Sequence, residues 1–229
     1  MKGTSITLIL LVLCMACTSC GGSGGGSSPT NIPPVLKNLG LDIEPFNSTT
    51  GMAGAFNFTE ADAIDAAIFT VFGDLLNGTT LNPTFEYKPD ATSNVISMTG
   101  GTVSAVEFDD EHNDYAVTVI PVDSKGWIIS YDHVLDLDVS EGNSISAGDI
   151  IGTVGGWYEG IGRTEIQVIV EDTGLSYCPF LVFDESLKSE YEGKIIQLMN
   201  DWEEYLGDPN IFDEDLMIYP GCYNETLEG

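Results

Sequence analysis

The sequence predicts a mainly β protein, an antiparallel β-sandwich or barrel with one helix before it and one C-terminal helix packed on it. Three observations carry that prediction. Between residues 95 and 170, short runs rich in β-branched and aromatic residues alternate with period two and are separated by Gly, Asp and Asn turns. Helical spacing appears only on either side of this stretch. The chain has 229 residues, 43% hydrophobic and 10% aromatic, enough for a buried core and too much for a disordered acidic tail.

Taken in order, the chain opens with Lys2 and an apolar run from Ile6 to Ala16, too short to span a bilayer and suited to the core of a signal peptide. Cys17-Thr18-Ser19-Cys20 then leads into Gly/Ser-rich residues closed by Ile32-Pro33-Pro34. Small residues before a cysteine and a flexible tether after it resemble a bacterial lipoprotein cleavage site. Residues 1–19 are therefore expected to be a lipoprotein signal peptide, with Cys20 lipidated and Cys17 as the alternative. Residues 20–35 form the tether. Thr59 followed by Glu60 and Asp62 reads as a helix start, and Ala61, Ile64, Ala67, Ile68, Val71, Phe72 and Leu75 continue at helical spacing to about residue 76, where Asn77-Gly78 ends it.

Six strand-like runs follow: Val95–Met98, Thr102–Val106, Tyr115–Ile120, Trp127–Tyr131, Ile150–Val154 and Glu165–Val170. From Glu185 to Leu206 the helical spacing returns, and Leu187, Tyr191, Ile195, Leu198, Met199, Trp202 and Leu206 form one apolar stripe that belongs against a sheet. Of the five cysteines, Cys178 and Cys222 remain in the exported part after lipidation at Cys20, so a disulfide between them is expected. Closing that loop would contribute roughly 3–4 kcal/mol in the chain-entropy model. The β domain with its N-terminal extension and helix spans 36–183, and the C-terminal helix with its disulfide-clamped tail spans 184–229.

Charge narrows the function. Seven Lys+Arg stand against 36 Asp+Glu, for a formal net charge of -29, which disfavours a nucleic-acid partner. The signal peptide carries only Lys2 of these charges, so the acidity belongs to the exported part. The only arginine is Arg163, and the only histidines are His112 and His133, which excludes a histidine-rich metal cage. His112 lies in Asp109-Asp110-Glu111-His112-Asn113-Asp114, which reads as a solvated acidic turn. No P-loop, dinucleotide fingerprint or Ser-His-Asp order is present.

Val139, Gly142, Ile145, Gly148 and Ile150-Ile151-Gly152 place glycines where tight turns between very short strands require positive φ. This pattern resembles the duplicated hybrid motif shared by lipoyl-type domains, sugar-phosphotransferase domains and lysostaphin-type, or LytM-like, peptidoglycan metallopeptidases. The surrounding order selects the last of these. Phe72-Gly73, Asn82-Pro83-Thr84-Phe85-Glu86, Val95, Gly101-Thr102-Val103, Tyr131-Asp132-His133, Gly142, Gly148 and Thr164-Glu165-Ile166-Gln167-Val168 follow the family order over about residues 65–183.

The resemblance implies that a histidine and the aspartate four residues on bind zinc together with the second histidine of an H-x-H strand. Its remaining two histidines assist the attacking water. Here Asn82 and Glu86 stand at the first two zinc-ligand positions. Either Arg163 and Glu165 or Thr164 and Ile166 replace H-x-H; the first register leaves Ile166-Gln167-Val168 where the family carries similar residues. Only His133 matches a catalytic histidine. Asn82, Glu86 and Glu165 form an all-oxygen set that does not suit zinc and would suit a harder cation such as calcium. Arg163 beside Glu86 and Glu165 offers an ionic replacement for a metal.

No cofactor is therefore expected. The function implied is that of an exported, lipid-anchored pseudoenzyme of the cell envelope, at the outer membrane or cell surface. It would bind a cell-wall peptide, a glycan or an envelope protein in a groove rimmed by Trp157, Tyr158 and His133. The alternatives are a peptidoglycan endopeptidase with an unusual ligand set and a purely structural envelope protein.

Overall fold

The computed structural model describes residues 31–76 and 78–228. The expected signal peptide, Cys17, Cys20 and the tether up to residue 30 lie outside the described residues. Among the described residues, no helix is long and apolar enough to cross a membrane.

The architecture is mainly β, as the alternation predicts. One sheet of eleven strands contains β1 (Phe69–Thr70), β2 (Phe85–Tyr87), β3 (Asn94–Ile96), β4 (Gly101–Asp109), β5 (Asp114–Pro121) and β6 (Trp127–Leu135). It continues with β7 (Ser144–Ile145), β8 (Ile150–Tyr158), β9 (Ile161–Val170), β10 (Leu175–Tyr177) and β11 (Thr226–Glu228). The pairings are antiparallel, and β7, β4, β5 and β6 lie side by side in that order. Five of the six expected runs lie within strands, and the first, Val95–Met98, does so only at Val95 and Ile96. Gly142 and Gly148 adopt φ of 86° and 90°, as their turns require.

The main topological event is in β6. Its first part, Trp127–Asp132, pairs with β9, whereas Val134 and Leu135 pair with β8. The changeover falls on His133, whose φ of 56° is left-handed, and the register with β5 shifts between Tyr131 and Val134. A bulge of this kind re-aims side chains that strict alternation would send to opposite faces.

The first helix departs from expectation. The helix expected over 60–76 is only α1 (Phe58–Ala63), capped by the Asn57 side chain, which accepts from the Glu60 amide at 3.2 Å. Asp65 turns to φ 54°, and the apolar residues beyond it join the sheet region instead. Phe69 pairs with Tyr87, Thr70 with Glu86, and Phe72 bridges to Cys222. Ile68, Thr70 and Val71 are β-branched and Phe69 and Phe72 aromatic, so sheet pairing and burial outweigh a local helical spacing.

The C-terminal helix α2 (Lys188–Leu206) ends at Gly207, which takes φ 71°. Its buried stripe is Ile195, Leu198, Met199 and Trp202, and the Trp202 ring packs edge-on against Phe58 at 4.9 Å. Leu206, placed on the stripe by spacing, is instead exposed. Cys178 and Cys222 form a disulfide with Cα atoms 6.1 Å apart. Beyond it the tail returns to the sheet as β11, paired with β10.

Candidate functional site

Cross-strand register builds the site. Glu165 on β9 lies opposite Glu86 on β2 on one side and Asp132 on β6 on the other. Directly opposed residues share a face, so three carboxylates form a row, which is unfavourable unless cations intervene. The same alternation places Arg163, two residues before Glu165, and Lys88, two after Glu86, on that face. The next row, Phe85, Ile166 and Tyr131, points the other way into the core.

The two cations neutralise the two carboxylates nearest them. Lys88 Nζ donates to Glu86 Oε1 at 2.8 Å, and Arg163 Nη2 donates to Glu165 Oε1. Arg163 Nε lies 3.1 Å from Glu86 Oε1 but outside hydrogen-bonding geometry, so this contact is an ion pair only. Trp157 covers both cations, its ring 5.2 Å from Lys88 Nζ and 5.1 Å from Arg163 Cζ. Tyr158, the next residue, is more exposed still. Thr164 turns away, donating to the Asp132 carbonyl at 2.8 Å, and Ile166 is buried.

Asn82 is buried and its amide is spent on the backbone. Nδ2 donates to the carbonyls of Val71 and Thr84 at 3.1 and 3.0 Å, and Oδ1 accepts from the Thr84 amide and hydroxyl at 3.2 and 2.8 Å. The Thr84 hydroxyl also lies 3.2 Å from Glu165 Oε2, but its single proton is better placed for Asn82. Asn82 therefore holds the loop leading into β2.

His133 sits between two carboxylates. Its Nδ1 is 2.9 Å from Asp114 Oδ2 and its Nε2 is 3.7 Å from Glu165 Oε1, the latter a charge contact rather than a hydrogen bond. Burial works against the charged imidazolium, but Glu165 and Asp114 outweigh it and hold the His133 pKa above its ordinary value. For Glu165, burial alone would raise the pKa; His133 and Arg163 draw it below the ordinary carboxylate value.

Asn82, Glu86, His133, Arg163 and Glu165 thus converge in one largely buried cluster on one face of the sheet, with Asn82 joined to it through Thr84. Three partners escaped sequence reading. Lys88 follows a strand too short to stand out, although its two-residue spacing from Glu86 was a usable signal. Asp114 closes a stretch whose composition reads as a solvated acidic turn, yet it is 1% exposed, because it begins β5. Asp132 reaches the row only through register. His112 is half-exposed, as a turn residue should be, but its ring stands edge-on to His133 with centroids 4.9 Å apart.

Residues 82–167 match the model of peptidase family M23. This supports the lysostaphin-type resemblance over the segment that carries the cluster. Similar solved structures include the antimicrobial peptidase lysostaphin from Staphylococcus simulans, 17% identical, with a TM-score of 0.38 over 44% of this chain and 41% of that one. LytU is 17% identical, with a TM-score of 0.39 over 45% of this chain and 74% of that one. A zinc-containing peptidase from Vibrio cholerae is 14% identical, with a TM-score of 0.38 over 59% of this chain and 38% of that one. The chain spans about two fifths of two lysostaphin chains it matches and 79% of the lysostaphin catalytic domain alone. No curated protein matches.

The zinc implied by this family does not fit the residues at the matching positions. An amide bonded to backbone, two carboxylates already paired with cations and a guanidinium replace the imidazole-rich set that zinc requires.

Proposed function

We propose that the chain is an exported, lipid-anchored envelope protein whose M23-like domain binds a cell-wall peptide or glycan without cutting it. One observation supports this above all: Arg163 and Lys88 supply, as fixed side-chain charge, what a metal would supply beside Glu86 and Glu165. A charge built into the chain neutralises carboxylates but offers no open position at which to activate water. His133 lacks the companion histidines of the family mechanism and orders the cluster rather than working on substrate. Trp157, half-exposed above the two cations, is the contact available to a ligand.

The test is sedimentation of the protein with purified peptidoglycan, with and without chelator, followed by analysis of released fragments. The reading expects chelator-independent binding, weakened about tenfold by Trp157→Ala, and no cleavage. Chelator-sensitive release of peptides would make the protein an endopeptidase with an unusual ligand set. Absence of binding would leave a purely structural envelope role. Replacement of Cys20 by alanine is expected to move the protein from the membrane to the soluble fraction, whereas the same result from Cys17→Ala alone would shift the anchor there.

A further inference from the structure

Next to the neutralised carboxylates lies a second group of donors that the binding role does not use. Asp114, Asp132 and His133 each offer a ligand atom, all within 4.8 Å of one another. The bulge at His133 brings two consecutive residues to this group, and β5 contributes the third. Asp114 is almost fully buried, yet among the described residues its Oδ1 has no hydrogen-bond partner, and its Oδ2 relies on His133 Nδ1 alone. A buried carboxylate is rarely left so short of donors, because desolvation penalises the charge unless it is fully paired.

We propose that Asp114, Asp132 and His133 bind a divalent ion of the zinc class, displaced from the position at which the family resemblance would put zinc. Two ligands each about 2.1 Å from a metal stand roughly 3.0–3.4 Å apart, and Asp114 Oδ2 and His133 Nδ1 are 2.9 Å apart. A cation can therefore replace the proton that this pair shares with little rearrangement. Asp132 Oδ1 accepts from the His133 amide at 2.9 Å, which leaves Oδ2 as the third donor. One imidazole with two carboxylates favours a borderline ion such as zinc over calcium. Gly155 keeps the space open: a Cβ there would come within 2.8 Å of both Asp114 Oδ2 and His133 Cβ. The neighbouring cations do not compete for these oxygens, since Arg163 and Lys88 are held by Glu165 and Glu86.

The experiment uses the full purified chain, stripped with chelator and titrated with zinc chloride by calorimetry and with cobalt chloride by visible absorption. One equivalent should bind, and both Asp114→Asn and Asp132→Asn should weaken it at least about tenfold. Thermal unfolding of each variant in chelator reports whether it is folded; Asp132, half-buried, serves if Asp114→Asn is not. No uptake by the unaltered chain overturns the proposal, as does an affinity unchanged in the folded variants. Loss of binding in Glu86→Gln but not in Asp114→Asn also overturns it, by placing the ion at the family position. Peptidoglycan sedimentation in chelator reads the binding role separately, so either reading can fail alone.

Discussion

The two halves of the charged cluster solve the same electrostatic problem differently. Glu86 and Glu165, opposed across the sheet, are matched one for one by Lys88 and Arg163 and roofed by Trp157. Asp114 has only the His133 imidazole, Asp132 accepts from the His133 backbone amide, and among the described residues one buried Asp114 oxygen is left without a donor. The first half is a closed network whose energy is committed to folding. The second carries surplus negative charge in a nearly dry setting, which is the condition for recruiting a cation.

Substitutions can test this contrast. Removing the guanidinium in Arg163→Met strands Glu165 beside His133 and leaves Glu86 to Lys88. Breaking a largely buried network in this way should cost on the order of 3 kcal/mol, read as a lower urea midpoint with an unchanged slope. Asn82→Ala should follow, at about 2 kcal/mol, because it orphans the Thr84 amide and takes a donor from the Thr84 and Val71 carbonyls, of which Val71 keeps the Asp74 amide. In the open half, Asp114→Asn should cost less than either without metal, about 1 kcal/mol, since Oδ1 has no donor to lose and the amide oxygen can still accept from His133, the cost being the lost charge beside His133 and a buried amide NH2. Equal losses for Arg163→Met and Asp114→Asn would erase the distinction between the halves.

The smallest effect lies outside the cluster and calibrates it. Burial would raise the Asp90 pKa, but bonds from the Thr92 hydroxyl and amide and from Asn57 outweigh it and hold the pKa below the ordinary value of 3.8. A depressed carboxylate stabilises the fold fully above its unfolded value and loses that contribution as pH falls through its folded one. Asp90→Asn should therefore lower stability slightly at neutral pH, by a difference that fades as pH falls below about 4, which flattens the acid-unfolding curve. A loss that persisted undiminished in acid would contradict that assignment.

Much of this architecture was legible in residue order. Period-two alternation marked six strands, the glycines at 142 and 148 marked their turns, and the stripe from Ile195 to Trp202 marked the C-terminal helix. The candidate cluster was partly legible, because Asn82, Glu86, His133, Arg163 and Glu165 occupied recognisable positions. The misread helix shows the limit. Ile68 to Phe72 have helical spacing, but their burial comes from β2 and Cys222, which lie far along the chain. Lys88 and Asp114 were missed for the same reason.

By itself, the sequence determined the alternation that makes a β protein, the disulfide pair and the shortage of imidazole and guanidinium that argues against ordinary zinc chemistry. These are properties of composition and local periodicity. Only the tertiary structure decided which carboxylates acquired a cation. Strand alternation assigns a face, but lateral neighbours come from register, and register brought Glu86, Glu165 and Asp132 into one row. The left-handed turn at His133 then set its ring against Asp114, leaving one half of the cluster neutralised and the other short of positive charge.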